Sequence, residues 1–504
     1  STGNREKTFD FYIYKVELPE NKVAFKMVLK VYNTQTKSKE EFIPLVQGKV
    51  GMYVCGPTVY DDCHVGHARS YVAFDVIRRY LEYKGLKVTY VQNFTDVDDK
   101  IINRAREKGV PPLVLSEKYI QEYYRDMGAL NIRKATVHPK ASEVIPDMIN
   151  VVKGLIDKGY AYEVNGSVYF EVEKAKDIFG KLRHQSLDDM KDGARIEVDS
   201  EKRSPKDFAL WKTAKPGEIS WKSPWGEGRP GWHIECSTMA NKYLGYTLDI
   251  HGGGMDLIFP HHESEILQSE TYNEEPFVRY WLHNGFVEID SEKMSKSLGN
   301  FFTVKDVIDK FEPMVVRFFL VYTHYRSPID FSDKALEEAK RSFRRLRNLR
   351  TDLLDMVGEL EEGVIPDFGE PADEVLDLAF STKKEFIEAM DDDFNTRIAV
   401  ATLFNMDSAV KELKSKGVFG KADAYLILSM FQELSNILGL DYRKPELEIE
   451  EGELATDLIE LLLEVRARAR EEKNWEMADH IRERMKEMGI ELEDGEETTW
   501  KYVR

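Results

Sequence analysis

A short turn with two histidines, His64-Val-Gly-His67, constrains this chain more than any other feature, because of the elements around it. The segment from Ser70 to Lys84 has the apolar spacing of a helix and is closed by Gly85. Val88-Thr-Tyr-Val-Gln-Asn-Phe94 then reads as a buried parallel strand. Strand, turn, helix, strand opens a doubly wound parallel sheet, in which ligands sit at the carboxyl ends of the strands. Cys55, His64 and Thr95-Asp-Val-Asp98 fall at those ends. Two imidazoles at the mouth of a helix can donate to phosphate oxygens where the helix dipole already favours anions. Gly66 removes a side chain where a flat nucleobase could lie against the backbone. Far downstream, Lys293-Met-Ser-Lys296-Ser297 sets two lysines among small and polar neighbours, as a strap that closes on a triphosphate requires. Either motif alone is a weak signal. Two ordinary half-buried histidines would leave the lysine loop unexplained, so the pair reads as one anion site.

A second group has metal-ligand chemistry. Cys55 lies in Tyr53-Val-Cys-Gly-Pro-Thr58, Cys236 in Gly231-Trp-His-Ile-Glu-Cys236, and further on come His251-Gly-Gly-Gly-Met-Asp256 and Pro260-His-His-Glu-Ser-Glu265. His261 and Glu265 are four apart and share one face of a helix. Two thiolates, one imidazole and one carboxylate suit zinc. The ligands are scattered and no CxxC spacing is present, so the choice stays open here: His262 or His233 can replace His261, and both cysteines can be read as inert core thiols.

From about residue 28 to its end the chain resembles the cysteinyl-tRNA synthetases, a family of class I aminoacyl-tRNA synthetases. The resemblance rests on Val54-Cys-Gly-Pro-Thr-Val-Tyr60, the histidine turn, Asn93-Phe-Thr-Asp-Val-Asp-Asp-Lys100, Gly231-Trp-His-Ile-Glu-Cys-Ser237, Asp249-Ile-His-Gly-Gly-Gly254, Phe259-Pro-His-His-Glu263, the lysine loop, Asp330-Phe-Ser-Asp333 and Asp391-Asp-Asp-Phe-Asn-Thr396. Many members carry Ile where this chain has Val65, a conservative departure. The resemblance implies one zinc ion per chain on Cys55, Cys236, His261 and Glu265, binding the sulfur of L-cysteine and excluding serine. It implies ATP, with Mg²⁺, over His64, Gly66, His67 and Lys296, with His64, His67, Lys293 and Lys296 acting on the phosphates. Thr95, Trp232 and Asp256 would hold the amino and carboxylate ends of the amino acid. The product would be cysteinyl-tRNA(Cys), made through a cysteinyl-adenylate. A related class joins activated cysteine to an amino-sugar but lacks a long anticodon-binding end, so residues 331–504 argue against it. A non-catalytic tRNA-binding relative should have lost His64, His67 and Lys296, and all three are present.

Composition adds constraints on organisation. A chain of 504 residues is too long for one ordinary domain. Three cysteines fit a reducing cytoplasm rather than a disulfide scaffold, and no apolar run of membrane-spanning length occurs. The formal charge of −19 does not exclude RNA, because binding depends on local basic patches such as Lys340-Arg-Ser-Phe-Arg-Arg-Leu-Arg-Asn-Leu-Arg350. Arg341, Arg344 and Arg345 share a helical face there; a solvated bundle face is the competing reading.

The expected fold class is α/β: a Rossmann-like catalytic domain with an insertion, then a helical bundle, then a small mixed α/β unit. Residues 1–27 read as an expression scar or an upstream in-frame extension. Residues 28–141 and 231–290 are the two halves of the sheet, 142–230 a connective insertion with a helix near 143–158 and a hairpin at Asn165-Gly166, and 291–330 the lysine loop and stem-contact region. Residues 331–443 form the bundle, interrupted by a loop from Gly358 to Pro371. An acidic linker, Pro445 to Glu453, precedes residues 454–504, a helical pair and a small hairpin. By resemblance the last two units approach tRNA and the terminal one reads the anticodon, with Arg468, Arg482 and Trp500 as contact candidates. All catalytic groups lie before residue 330, and the working unit is expected to be a monomer.

Overall fold

The computed structural model describes residues 28–187, 201–289, 292–293, 302–358, 368–443, 451–487, 490–493 and 499–502. The chain divides into two compact units, 1–442 and 443–504. Among the described residues no helix is long and apolar enough to cross a membrane.

The larger unit is built on four parallel strands, β1 (Lys49–Val54), β2 (Lys87–Gln92), β3 (Leu248–Gly254) and β4 (Val278–Asn284). Their order is β4-β3-β1-β2, with Met52 opposite Tyr90 on one side and Ile250 on the other. Val50, Met52, Val54, Val88, Tyr90 and Val91 are all buried, as a sheet covered on both faces requires. The order reverses between β1 and β3, so a crevice opens beyond Val54 and Gly252. α1 (Val65–Tyr83) begins at the histidine turn, a turn and a half ahead of the apolar spacing, because His64 caps it. β2 stops at Gln92 rather than Phe94: the Asn93 side chain leaves the ladder to accept from Gly56 N at 2.9 Å.

The insertion between β2 and β3 carries the helix Ile145–Asp157 and a five-stranded antiparallel sheet of Ala161–Val164, Ser167–Phe170, Phe208–Thr213, Trp221–Ser223 and Gly226–Pro230. Its first hairpin turns at Asn165 (φ 50°) and Gly166 (φ 86°), the left-handed pair that matches strand twist. α2 (Trp232–Leu244) leads into β3, and α3 (Glu263–Asn273) connects β3 to β4.

The bundle consists of α4 (Asp333–Val357), α5 (Asp373–Asp391), α6 (Thr396–Ser415) and α7 (Lys421–Leu438). Of the expected interrupting loop, 359–367 lie outside the described residues, as do 444–450 of the acidic linker; Glu451 already starts a helix. On α4, Phe343 and Leu346 are buried while Arg341 and Arg344 are exposed. Arg345 is committed to the bundle, donating to Asp407 Oδ2 at 2.6 Å and Ser408 Oγ at 2.9 Å.

The smaller unit pairs α8 (Glu451–Glu471) with α9 (Trp475–Glu487) and an antiparallel hairpin of Ile490–Glu493 and Thr499–Tyr502. Ile459, Ile481, Met485, Ile490 and Leu492 form its core. Arg468 and Arg482 lie on the exposed side of the helices, and the Trp500 side chain lies outside the described residues.

The bundle is not an appendage that begins cleanly after residue 330. One apolar core runs from Val31 and Val50 through Val76 and Phe318 to Leu403 and Leu438. A buried ion network crosses the same join. Asp75 on α1 accepts from Arg79 at 2.7 Å and from Arg317 at 2.6 Å, and Arg317 also donates to the carbonyls of Leu130 and Leu438. Burial alone would raise the Asp75 carboxyl, and the two guanidiniums pull it below its ordinary value. Gly439 (φ 65°) ends α7 against this site; a Cβ there would lie 2.1 Å from Arg317 Nη2. Asp75→Ala leaves two buried cations uncompensated and is expected to cost about 3–5 kcal/mol in urea denaturation at neutral pH. Because the Asp75 pKa is depressed, its contribution is full above its unfolded value of about 4 and fades as pH falls toward the folded one, so the native–variant gap should shrink below that pH.

Candidate active site

Cys55 is the first residue beyond β1, and its N–H donates to Gly252 O across the switch point at 3.2 Å. Gly56 must be glycine, since a Cβ there would lie 1.6 Å from the Asn93 carbonyl oxygen. Cys236 comes from α2, Glu265 from the first turn of α3, and His261 from the irregular turn between β3 and α3. These four side chains meet in one buried cluster, with every ligand atom within 4.8 Å of the others. The Sγ atoms of Cys55 and Cys236 are 3.8 Å apart, Cys55 Sγ and Glu265 Oε1 3.7 Å, and His261 Nε2 and Glu265 Oε1 3.1 Å. A tetrahedral zinc with ordinary bond lengths needs ligand separations of about 3.8, 3.6 and 3.3 Å for those pairs. The donor set therefore fits the ion. A second set, Cys55, His251, His262 and Glu265, shares two of the groups, but His262 Nε2 stands 4.0 Å from Glu265 Oε1, a looser match.

Supporting side chains fix the orientation of the cluster. His233 and His261 share a hydrogen bond between their Nδ1 atoms at 2.9 Å, turning His261 Nε2 toward Glu265. His251 Nε2 lies 2.8 Å from Glu265 Oε2. His262 contacts Cys55 Sγ at 3.3 Å and His283 at 2.8 Å, and His283 reaches Thr34 Oγ1. Burial holds His233, His251 and His283 at about 3, and His261 and His262 far below the usual imidazole range. The same burial pushes the Cys55 thiol and the Glu265 carboxyl well up. The pocket thus holds neutral imidazoles beside groups that become anions only with a cation present.

The histidine turn opens α1. His64 caps α1, accepting from His67 N–H through Nδ1 at 3.2 Å, and His67 Nδ1 accepts from His64 N–H at the same distance. With each Nδ1 used as an acceptor, the ring proton of the neutral imidazole sits on Nε2. The rings stack at 3.7 Å at the helix N-terminus, with Gly66 in the first turn between them. The residues that flank the lysine loop are fixed by backbone bonds, on the far side to the histidine turn itself. Lys293 pairs in a short ladder with Glu288, and beyond the loop Val65 N–H donates to Phe302 O while Val304 N–H donates to Cys63 O. The Lys293 side chain and all of Lys296 lie outside the described residues.

Thr95 is buried beside the cluster and donates to Glu235 Oε2 at 2.6 Å. Trp232 starts α2, is 39% exposed and stacks on His261 at 4.3 Å. Asp256 is exposed just beyond β3, at the mouth of the crevice. Sequence reading missed Glu235, Glu263 and the orienting histidines His251 and His283, and His233, open there as an alternative ligand, instead orients His261. Each sits inside or near a quoted motif, but what marks it is burial together with a partner from another segment.

The fold, a switch-point crevice with a histidine-capped helix and a tethered lysine loop, is that of a class I aminoacyl-tRNA synthetase. Residues 41–341 match the family described as tRNA synthetases class I (C) catalytic domain, and 385–442 match the DALR domain. A solved structure of Mycobacterium tuberculosis methionyl-tRNA synthetase in complex with methionyl-adenylate superposes with a TM-score of 0.59 at 17% identity, covering 79% of this chain and 92% of that one. The chain is 53% identical over 476 residues to the cysteine–tRNA ligase of Carboxydothermus hydrogenoformans, covering 94% of this chain and 100% of that protein. It is 50% identical over 486 residues to that of Thermococcus onnurineus, covering 95% and 100%. The chain belongs to the cysteine–tRNA ligase family.

Thr95→Val removes the one hydroxyl that donates to the buried Glu235 carboxylate. A loss of about 1–3 kcal/mol in chemical denaturation is expected, the ordinary cost of stranding a buried acceptor.

Proposed function

We propose that this protein ligates L-cysteine to tRNA(Cys) in two steps, forming cysteinyl-adenylate from ATP and then passing the aminoacyl group to the 3'-terminal adenosine of the tRNA. The observation that carries this reading is the soft, buried set of Cys55, Cys236, His261 and Glu265 at the same strand ends as the histidine-capped helix. The substrate carboxylate attacks the α-phosphorus in line and pyrophosphate leaves, so the protein contributes positioning and charge neutralisation rather than covalent chemistry. His64 and His67 donate to phosphate oxygens, Gly66 lies against the adenine, and Lys293 and Lys296 close over the triphosphate, which arrives as its Mg²⁺ complex. Thr95, Trp232 and Asp256 hold the amino and carboxylate ends of the amino acid. Exposed Arg341 and Arg344 on α4 face the tRNA backbone. Arg468, Arg482 and Trp500 serve the anticodon end. The enzyme works as a single chain in the cytoplasm.

Zinc on the four-ligand set supplies a soft Lewis acid that prefers a thiolate to a hydroxyl. Shape alone would distinguish cysteine from serine by only about 1–3 kcal/mol, by analogy with one methylene, against the roughly 10⁴-fold that translation needs. The four side chains therefore set amino-acid specificity.

Pyrophosphate exchange with a panel of amino acids, together with metal analysis, tests the reading. The native protein should hold one zinc and exchange with cysteine but not serine. Cys236→Ser and His261→Ala should retain less zinc and lose cysteine-dependent exchange by orders of magnitude. A chelated protein that still activates cysteine and refuses serine would sink the assignment. Lys296→Ala should lower the exchange rate at least about 100-fold, the typical loss of one charge-stabilising group, with little change in cysteine binding. A chain ending at 442 should keep exchange and lose charging of tRNA.

A further inference from the structure

The segment that carries His261 is not held by a regular helix. Phe259 is extended (φ −140°, ψ 134°) within the turn Ile258–His262, so its direction has to come from outside. Glu263, the first residue of α3 and 1% exposed, supplies the connection. Its Oε1 accepts from the backbone N–H of Gly180 at 2.6 Å and of Lys181 at 3.0 Å, and its Oε2 accepts from Leu182 and Arg183, each at 3.1 Å. Four consecutive amides of the insertion thus converge on one carboxylate, an anion nest closed around a side chain. Other contacts from the same turn reach the same segment. The Arg183 guanidinium lies over the Phe259 ring at 4.1 Å, and Lys181 pairs with Glu270. Gly180 has φ 90°, and a Cβ there would lie 2.2 Å from Gln185 O, so the turn depends on that glycine.

We propose that Glu263 is a positioning residue for cysteine recognition: through it, the 180–183 turn of the insertion sets the direction of His261 and Glu265. The proposal rests on the functional reading above. It makes the insertion part of the amino-acid pocket, although no residue of the turn belongs to the four-ligand set. Glu263→Gln is the discriminating variant, because glutamine offers one oxygen and turns an amide NH₂ toward two of the N–H donors. Gly180→Ala disturbs the turn while leaving Glu263 in place.

Zinc retention is read by competition with a chromophoric chelator, and cysteine and ATP dependence by pyrophosphate exchange, after circular dichroism has confirmed native helix content. Both variants should retain zinc at least tenfold less tightly and show at least a tenfold higher cysteine KM, with ATP KM within twofold of native. A clamp that only stabilised the fold would lower the thermal midpoint and leave both ratios unchanged. Native-like zinc retention and cysteine KM in folded Glu263→Gln overturn the proposal. Should that variant not fold, the same native-like result in Gly180→Ala does so. A native protein that holds no zinc overturns the functional reading and this proposal with it, whereas a zinc-binding native protein with unaffected variants overturns the proposal alone.

Discussion

Three acidic side chains and five imidazoles share one pocket from which water is excluded, and the pocket has no charge balance of its own. Cys55, Cys236 and Glu265 are each less than a tenth exposed, as are His233, His251, His261, His262 and His283. Burying an isolated anion is prohibitive, and burial accordingly pushes the Cys55 thiol and the Glu265 carboxyl well up. The surrounding architecture follows from the need to hold them still. β1 and β3 bring Cys55 and Gly252 together at the switch point, α2 and α3 supply Cys236 and Glu265, and His251 and His262 reach the Glu265 carboxyl and the Cys55 sulfur.

The second structural theme is continuity between the sheet and the bundle. α1 begins at the histidine turn and, nearly three turns on, holds Asp75 against Arg317, with the end of α7 at Leu438 and Gly439 packed on the same guanidinium. Tyr80 on the same helix donates to Asp391 at the end of α5. A single helix is therefore capped by the histidine turn and packed along its length on the bundle. The smaller unit has its own core, formed among the described residues by Ile459, Ile481, Met485, Ile490 and Leu492.

Much of this was legible from residue order. The histidine turn, the strand at Val88, the hairpin at Asn165-Gly166 and the apolar spacing after Phe331 each depend on local chemistry that a sequence displays. The convergence of Cys55 with Cys236, and the preference for His261 over His262, depend on tertiary placement, which spacing cannot supply. α1 starts at Val65 rather than Ser70 because a reciprocal histidine cap does the work usually read from Ser, Thr, Asp or Asn. Glu235 and Glu263 read as ordinary helix-start acids; only the hydroxyl and the four amides aimed at them from other segments reveal their roles. The continuous core across residue 331 was equally hidden, since a change from mixed elements to long helices looks like a boundary whether or not the apolar faces merge.

The tethering of the lysine loop bears on how such a chain tolerates change in length. The loop's neighbours are fastened at Glu288 with Lys293 and at Cys63 and Val65 with Val304 and Phe302, so the two points between which it runs are set by bonds next to it. The long stretch of chain between the two motifs does not enter that closure, and its length carries no entropic weight in their encounter. Segments of the insertion remote from the 180–183 turn can therefore lengthen or shorten without disturbing the bonds that fasten Lys293, Phe302 and Val304. The distance along the chain that makes the two motifs look unrelated leaves the region between them open to variation.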